Sequence, residues 1–309
     1  MHKQRLNYIL LLAALTACTS KKSLTPEELQ SYQTEIEAWH QERLDDVKSS
    51  SGWLNLVGLY WLEPGINTFG TAPENKVIFP EGTIAPKAGY YRVNQHDITF
   101  QPMDAPIAIN GRPVETETII PLDSLRGTTF TSGTLEWYIL RRDTRLGLRV
   151  RDLNSPAVKA FKCIDRYPID PAYRIEATFR PADSTHTINI TNVIGQTTAQ
   201  PSPGTLVFTL HGQEQHLDAL EEGDELFIIF GDETSGKDTY GGGRFVYTDK
   251  PNAENKVYLD FNKAHNPPCV FTPYATCPLP PTQNILKIAV EAGEKSYHGE
   301  VQSETAPGK

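Results

Sequence analysis

Between Gly65 and about residue 300 the apolar residues come in short runs that alternate with polar ones, and turn-forming residues separate the runs. A period of two places every second side chain on one face of a pleated strand, which commits this stretch to sheets with a buried face. Residues 67–69, 76–79, 90–93, 97–100 and 107–109 make a first set, and the last of them runs into Asn110-Gly111, a hairpin signal. Residues 134–142, 146–152, 173–179, 187–191, 204–210, 213–220 and 225–230 make a second. Pro168, Pro171, Pro181, Pro201 and Pro203 fall between the runs, where a missing amide donor does no harm. The predicted fold class is mainly β, with antiparallel sheets that curve or close.

One helix precedes them. Thr25-Pro26-Glu27-Glu28 supplies a cap, a proline at the first helical position and acids at the positive end of the dipole. The spacing of Leu29, Tyr32, Ile36, Trp39 and Leu44 predicts a helix over 26–47 with one loose apolar stripe, packed across the β body. Residues 53–62 are dense in aromatic and aliphatic side chains and read as a buried strand or turn. The expected organisation is a helix and connector over 26–62, a small β module over 63–128, a larger antiparallel β domain over 129–300 and a tail over 301–309.

The first residues read as an address. Lys3 and Arg5 precede an apolar stretch from Leu6 to Ala14, too short for the roughly 20 apolar residues that cross a bilayer. Leu15-Thr16-Ala17-Cys18 closes it and resembles the lipobox of bacterial lipoproteins. The resemblance implies a signal peptide over 1–17, acylation of Cys18 (palmitate among the chains) and a tether over 18–25. Several acyl chains on one residue hold a protein at a membrane stably. No aspartate follows Cys18 and the tether lacks an acidic run, so the expected place is the outer membrane, facing the periplasm.

The net charge of −9 becomes more negative once Lys3 and Arg5 are removed, which argues against a nucleic-acid partner. With Cys18 acylated, Cys163, Cys269 and Cys277 remain, and Cys269 and Cys277 bracket a proline-bounded loop in which a disulfide, a reactive thiol and a metal pair are the open readings. The histidines are scattered and no motif calls for a cofactor or a metal.

Residues 65–125 carry Phe69-Gly70, Asn75, Val77, Ile78 and then Ile109-Asn110-Gly111-Arg112-Pro113, in an order that resembles a forkhead-associated β-sandwich. That family's phosphothreonine readers place an arginine after the first glycine and a serine in the second loop. Here Thr71 follows Gly70 and the second loop, 85–89, has no serine, so shared architecture without the shared ligand is expected. The Gly-Trp-Leu-x-Leu-Val-Gly-Leu-x-Trp-Leu phrase from Gly52, the Thr-Ser-Gly-x-x-Thr-Tyr-Gly-x-Gly-Arg-Phe run from Thr234 and the Asp-Phe-Asn-x-Ala-x-Asn-Pro-Pro-Cys-x-Phe run from Asp260 resemble the bacterial family called domain of unknown function 1684. That resemblance implies a shared fold and shared loops, and no activity.

Polar residues cluster in the loops at 231–245, 259–269 and 277–284. The first is not a nucleotide P-loop, because Gly236-Lys237-Asp238 lacks the hydroxyl and its glycines come afterwards. The expected function is recognition of a small or glycan-like ligand, with Lys237, Tyr240 and Arg244 in contact and Asp260, Asn262 and Asn266 orienting it. The same loop equally reads as a structured turn in which Asp232 and Thr234 bond their own backbone. A competing reading is a hydrolase that uses Asp260, His265 or Cys269, with Ser235 as another nucleophile, although no Gly-x-Ser-x-Gly elbow surrounds it. A third is a structural envelope protein that holds partners through the β module.

Overall fold

The computed structural model describes residues 24–142 and 144–299. The signal peptide, Cys18, most of the tether and the 301–309 tail expected from the sequence lie outside the described residues.

Helix α1 (Pro26–Lys48) starts at a capping box: Thr25 Oγ1 accepts from the Glu28 amide at 3.2 Å and the Glu28 carboxylate accepts from the Thr25 amide at 2.8 Å. Its buried face is Tyr32, Ile36, His40 and Val47, while Leu29, Trp39 and Leu44 lie partly exposed at its flanks. A short 3-10 turn at Trp53–Asn55 then leads into the first β body.

That body contains β1 (Leu56–Leu62), β2 (Gly65–Gly70), β3 (Val77–Ile78), β4 (Gly89–Val93), β5 (Asp97–Pro102), β6 (Ile107–Ile109), β7 (Arg112–Val114), β8 (Thr118–Pro121), β9 (Thr129–Ser132), β10 (Leu135–Arg142) and β11 (Arg145–Asp152). They form a six-stranded sheet in the order β1-β11-β10-β9-β6-β7 and a five-stranded sheet in the order β3-β2-β4-β5-β8. Phe69, Tyr91, Phe100, Phe130 and Trp137 fill the space between, all with essentially no exposure. Each such side chain contributes about 1.5–3 kcal/mol by burial. Two polar groups among them meet, Trp137 Nε1 donating to the Tyr91 hydroxyl at 2.7 Å. Between β6 and β7, Asn110 (φ 49°) and Gly111 (φ 76°) make the tight hairpin that the sequence signals.

The sheets divide the chain differently from the boundary expected at 128/129. Strands β9, β10 and β11 belong to the first body, and β1, from the connector, pairs along β11 from Leu56 to Leu62. Alternation reports which face of a strand is buried and says nothing about which sheet receives it.

The second body contains β12 (Arg174–Pro181), β13 (Thr187–Thr191), β14 (Thr197–Pro201), β15 (Gly204–Leu210), β16 (Gln213–Glu222), β17 (Glu225–Phe230), β18 (Arg244–Asp249) and β19 (Lys256–Asp260). Six of them make an antiparallel sheet in the order β18-β17-β16-β15-β12-β19, and β13 and β14 make a separate hairpin. The sheet curls so that its two end strands meet: Thr248 Oγ1 of β18 donates to the Tyr258 carbonyl of β19 at 2.9 Å. Ile175, Phe208, Leu217, Ile228, Phe230 and Phe261 form its core. Leu286, Ile288, Val290 and Ala292 close that core, alternating like a strand while forming no named strand.

Candidate functional site

The glycine-rich segment after β17 folds upon itself. The Asp232 carboxylate accepts from the Thr234 amide at 2.6 Å and the Thr234 hydroxyl at 2.5 Å, and Thr234 Oγ1 meets Thr239 Oγ1 at 2.9 Å. Ser235 Oγ is taken by the Asp232 amide at 3.2 Å. The other Asp232 oxygen holds Arg244 Nη2 at 2.7 Å. Arg244 has no exposed surface, and its guanidinium also donates to the carbonyls of Val290, Ala292 and Glu294. This is the structured-turn reading, extended by a clamp: the alternating segment at 286–294 lacks a full strand partner, and a buried arginine supplies the donors its carbonyls need. Arg244 therefore faces no ligand, contrary to its expected role. Lys237 is exposed, and Tyr240 packs half-buried beside Val47, Leu54 and Phe271, so neither joins Arg244.

The segment after β19 is a second knot. Tyr32 of α1 donates its hydroxyl to both Asp260 oxygens at 2.9 Å, and Asn262 Nδ2 donates to the same hydroxyl at 2.8 Å and to the Asp170 carbonyl at 2.9 Å. Burial pushes the Asp260 carboxyl above its ordinary value, opposed by the bonds from Asn262 and Tyr32. Asn266, fully buried, donates its amide to Glu294 Oε2 at 2.7 Å and its side-chain amide to the Lys295 carbonyl at 2.7 Å. Glu294 in turn holds Arg43 of α1 at 3.3 Å, and burial pushes its carboxyl up. Asn262 and Asn266 thus fasten α1 and the C-terminal segment to the sheet, and their side chains have no surface left for orienting a ligand.

Cys269 and Cys277 are joined in a disulfide, leaving Cys163 as the free cysteine among the described residues. The bridge removes the thiol that a Cys269 nucleophile requires. His265 lies among Trp39, Phe245 and Tyr247, parallel to the Tyr247 ring at 5.9 Å, and burial with nearby Arg43 pushes its imidazole down to about 3, which makes it a weak base.

The clefts lie elsewhere. One of about 270 Å³ sits where α1 meets the joined ends of the curled sheet. Glu35 and Trp39 come from α1, Tyr247 and Asp249 from β18, Tyr258 and Asp260 from β19, and Lys263 and His265 from the loop beyond. Lys263 Nζ pairs with Glu35 at 2.7 Å. Arg174, at the start of β12, stands between two aromatic faces, 5.3 Å from the Tyr32 ring and 5.3 Å from the Tyr258 ring. The Tyr258 side chain is 59% exposed. Of the six expected ligand residues only Asp260 lines this cleft, joined by His265 from the hydrolase reading. Tyr258, Arg174, Tyr247 and Trp39 were missed. The available signal was the outward position of Tyr258 in the alternation Val257, Tyr258, Leu259, where an apolar ring replaces the usual polar residue.

A family model described as "Protein of unknown function (DUF1684)" matches residues 159–295, a span that includes the loops of both knots and most of the cleft lining, without the α1 residues. None of the curated proteins matches the chain. Among solved structures, the chain is similar to an uncharacterized protein of Haloarcula marismortui determined by solution NMR, at 32% identity and a TM-score of 0.38, over 44% of this chain and 78% of that one. It is also similar to the FhaA FHA domain in complex with an intracellular domain, at 14% identity and a TM-score of 0.22, over 30% of this chain and 97% of that one. A structure described as concerning phosphothreonine-dependent FHA domain interactions gives 14% identity and a TM-score of 0.22, over 30% and 92% of the two chains.

Proposed function

We propose, for a chain that belongs to the family described as a protein of unknown function (DUF1684), a lipid-anchored binding role in the bacterial envelope, with a small glycan-like ligand held in the cleft between α1, β18 and β19. The observation that carries the reading is the Tyr258 ring, left 59% exposed in a cleft that also presents Trp39, Tyr247, Arg174 and several carboxylates. Sugars offer flat C–H faces that stack on aromatic rings, and hydroxyls that donate hydrogen bonds to carboxylates and accept them from guanidinium groups. Aromatic rings set among charged side chains offer such a ligand both kinds of contact. Arg174 and Tyr258 also line a wider groove of about 1130 Å³ over β12 and β15, which gives a ligand longer than one sugar room to continue. Leu24, within the expected tether, borders the same groove. The envelope address rests on the Leu15 to Cys18 tetrapeptide and the apolar stretch before it.

The test is saturation-transfer NMR on residues 24–309 with cellobiose, maltose and N,N′-diacetylchitobiose. At least one disaccharide saturates the protein, and Tyr258→Ala weakens that binding at least about tenfold, the loss of one stacked ring at about 1.4 kcal/mol or more. Absence of any saturable transfer, or equal affinity in Tyr258→Ala, refutes the cleft. Incorporation of labelled palmitate in cells, abolished in Cys18→Ser, tests the anchor separately.

A further inference from the structure

A second group of side chains, on the first β body and outside the cleft, has the chemistry of a binding site. In β11 the side chains of Leu148 and Val150 enter the core, so Arg149 and Arg151 share the opposite face of the sheet. That face is covered: Arg149 is 6% exposed and Arg151 8%. Trp53, from the turn after α1, lies against both guanidinium groups, with its ring centre 6.0 Å from Arg149 Cζ and 5.8 Å from Arg151 Cζ. Arg151 Nη1 donates to the Gly52 carbonyl, and Arg149 Nη1 reaches the Tyr138 hydroxyl at a long 3.4 Å. Arg149 Nε has no partner.

Two like charges are thus buried side by side, and neither takes part in a salt bridge among the described residues. Buried arginines are ordinarily paired with carboxylates, as Arg244 is here. Glu136, opposite Arg151 on β10, is the carboxylate that faces the pair, and it leaves one positive charge in excess. Contact with an aromatic ring attracts a cation without neutralising it. Burial pushes the Arg151 guanidinium below its ordinary value; Tyr138 opposes this and the adjacent Arg149 adds to it. Two planar forks, a free Nε–H and a tyrosine hydroxyl form a donor set that matches the oxygens of a carboxylate or phosphate group.

We propose that Arg149, Arg151 and Tyr138, roofed by Trp53, bind a small oxyanion of the carboxylate or phosphate class. Tyr138 and Glu136, both half-buried, border the pair from the neighbouring strand β10. The anion supplies the missing charge and ties the Gly52–Trp53 turn to the sheet of the first body. This assignment is independent of the sugar-binding reading.

The experiment is thermal unfolding of residues 24–309, first in chloride and then with inorganic phosphate or succinate added at constant ionic strength. Binding to the folded state alone raises the melting temperature with the logarithm of anion concentration. Phosphate, succinate or both are expected to do this while chloride does not, and the anion that acts identifies the source of the oxygens. Arg149→Gln is expected to weaken the apparent affinity at least about tenfold, as for loss of one charge-assisted bond. Should Arg149→Gln fail to fold, Tyr138→Phe reads the same loss on a side chain that is not charged. Tyr258→Ala keeps the full anion response, which separates this site from the cleft. Equal responses to chloride, phosphate and succinate overturn the proposal, and so does a full response in Arg149→Gln or in Tyr138→Phe.

Discussion

Replacing Arg244 by alanine removes a cation that holds one carboxylate and three carbonyls without touching solvent. At 2.7 Å from the Asp232 oxygen and an effective dielectric of about 20, the lost attraction is ~6 kcal/mol before the desolvation that the pair no longer bears is credited. Measured losses for breaking buried pairs run at about 3–5 kcal/mol, because the remaining charge stays buried. The carbonyls of Val290, Ala292 and Glu294 lose a donor as well, at about 1–3 kcal/mol for each that water does not reach. We therefore expect Arg244→Ala to lose at least about 3 kcal/mol, lowering the urea midpoint by about 1 M for an m-value of about 3 kcal/mol/M. Hydrogen exchange is expected to accelerate at 286–294 before the β strands of the second body. The double variant Arg244→Met with Asp232→Leu recovers part of the loss, since it removes the stranded charge and leaves the carbonyls unpaired. A change in stability below about 0.5 kcal/mol, the ordinary range for surface substitutions, would refute the clamp. A loss of sugar binding in a fully stable Arg244→Ala would return the residue to the ligand role expected from its loop.

Two further outcomes follow from the same geometry. His265 has its folded-state value pushed from 6.5 down to about 3, so the unfolded chain takes up the proton first and its stabilising share is lost as pH falls from about 6.5 towards 3. Urea midpoints measured across that interval are expected to fall with a slope that His265→Gln reduces; an unchanged slope contradicts the assignment. The Cys269–Cys277 bridge closes a loop with a sequence separation of 8, for which chain entropy gives about 2–3 kcal/mol. Cys277→Ser is expected to lose that amount in thermal unfolding, and in the folded native protein a maleimide modifies Cys163 alone among the described cysteines.

Local signals were the legible ones. Thr25, Pro26 and Glu28 announce the start of α1 because a helix end is satisfied by its own first turn, and Asn110-Gly111 announces a hairpin because few residues accept positive φ. Sheet membership was not legible for 135–152, since the alternation that buries Leu148 and Val150 is the same whichever sheet accepts it. The loop residues were misread for a different reason. Aspartate, threonine, asparagine and arginine are the types that bind a polar ligand, and they are equally the types that satisfy a buried backbone without strand partners. One contrast in the sequence separates the two uses. Leu286, Ile288, Val290 and Ala292 alternate like a core strand, yet Pro278, Pro280 and Pro281 precede them and Gly293 follows, and the Val290 and Ala292 carbonyls take their donors from a side chain. Arg244, which begins β18 with no exposed surface, meets that need. Tyr258 meets none: it is an aromatic residue at an outward position of a strand, and neither the core nor the backbone accounts for its place there. Side chains that the fold itself consumes, like Arg244 and Asn262, account for the polar residues of these loops, and Tyr258, which the fold leaves over, is the residue on which the proposed ligand cleft rests.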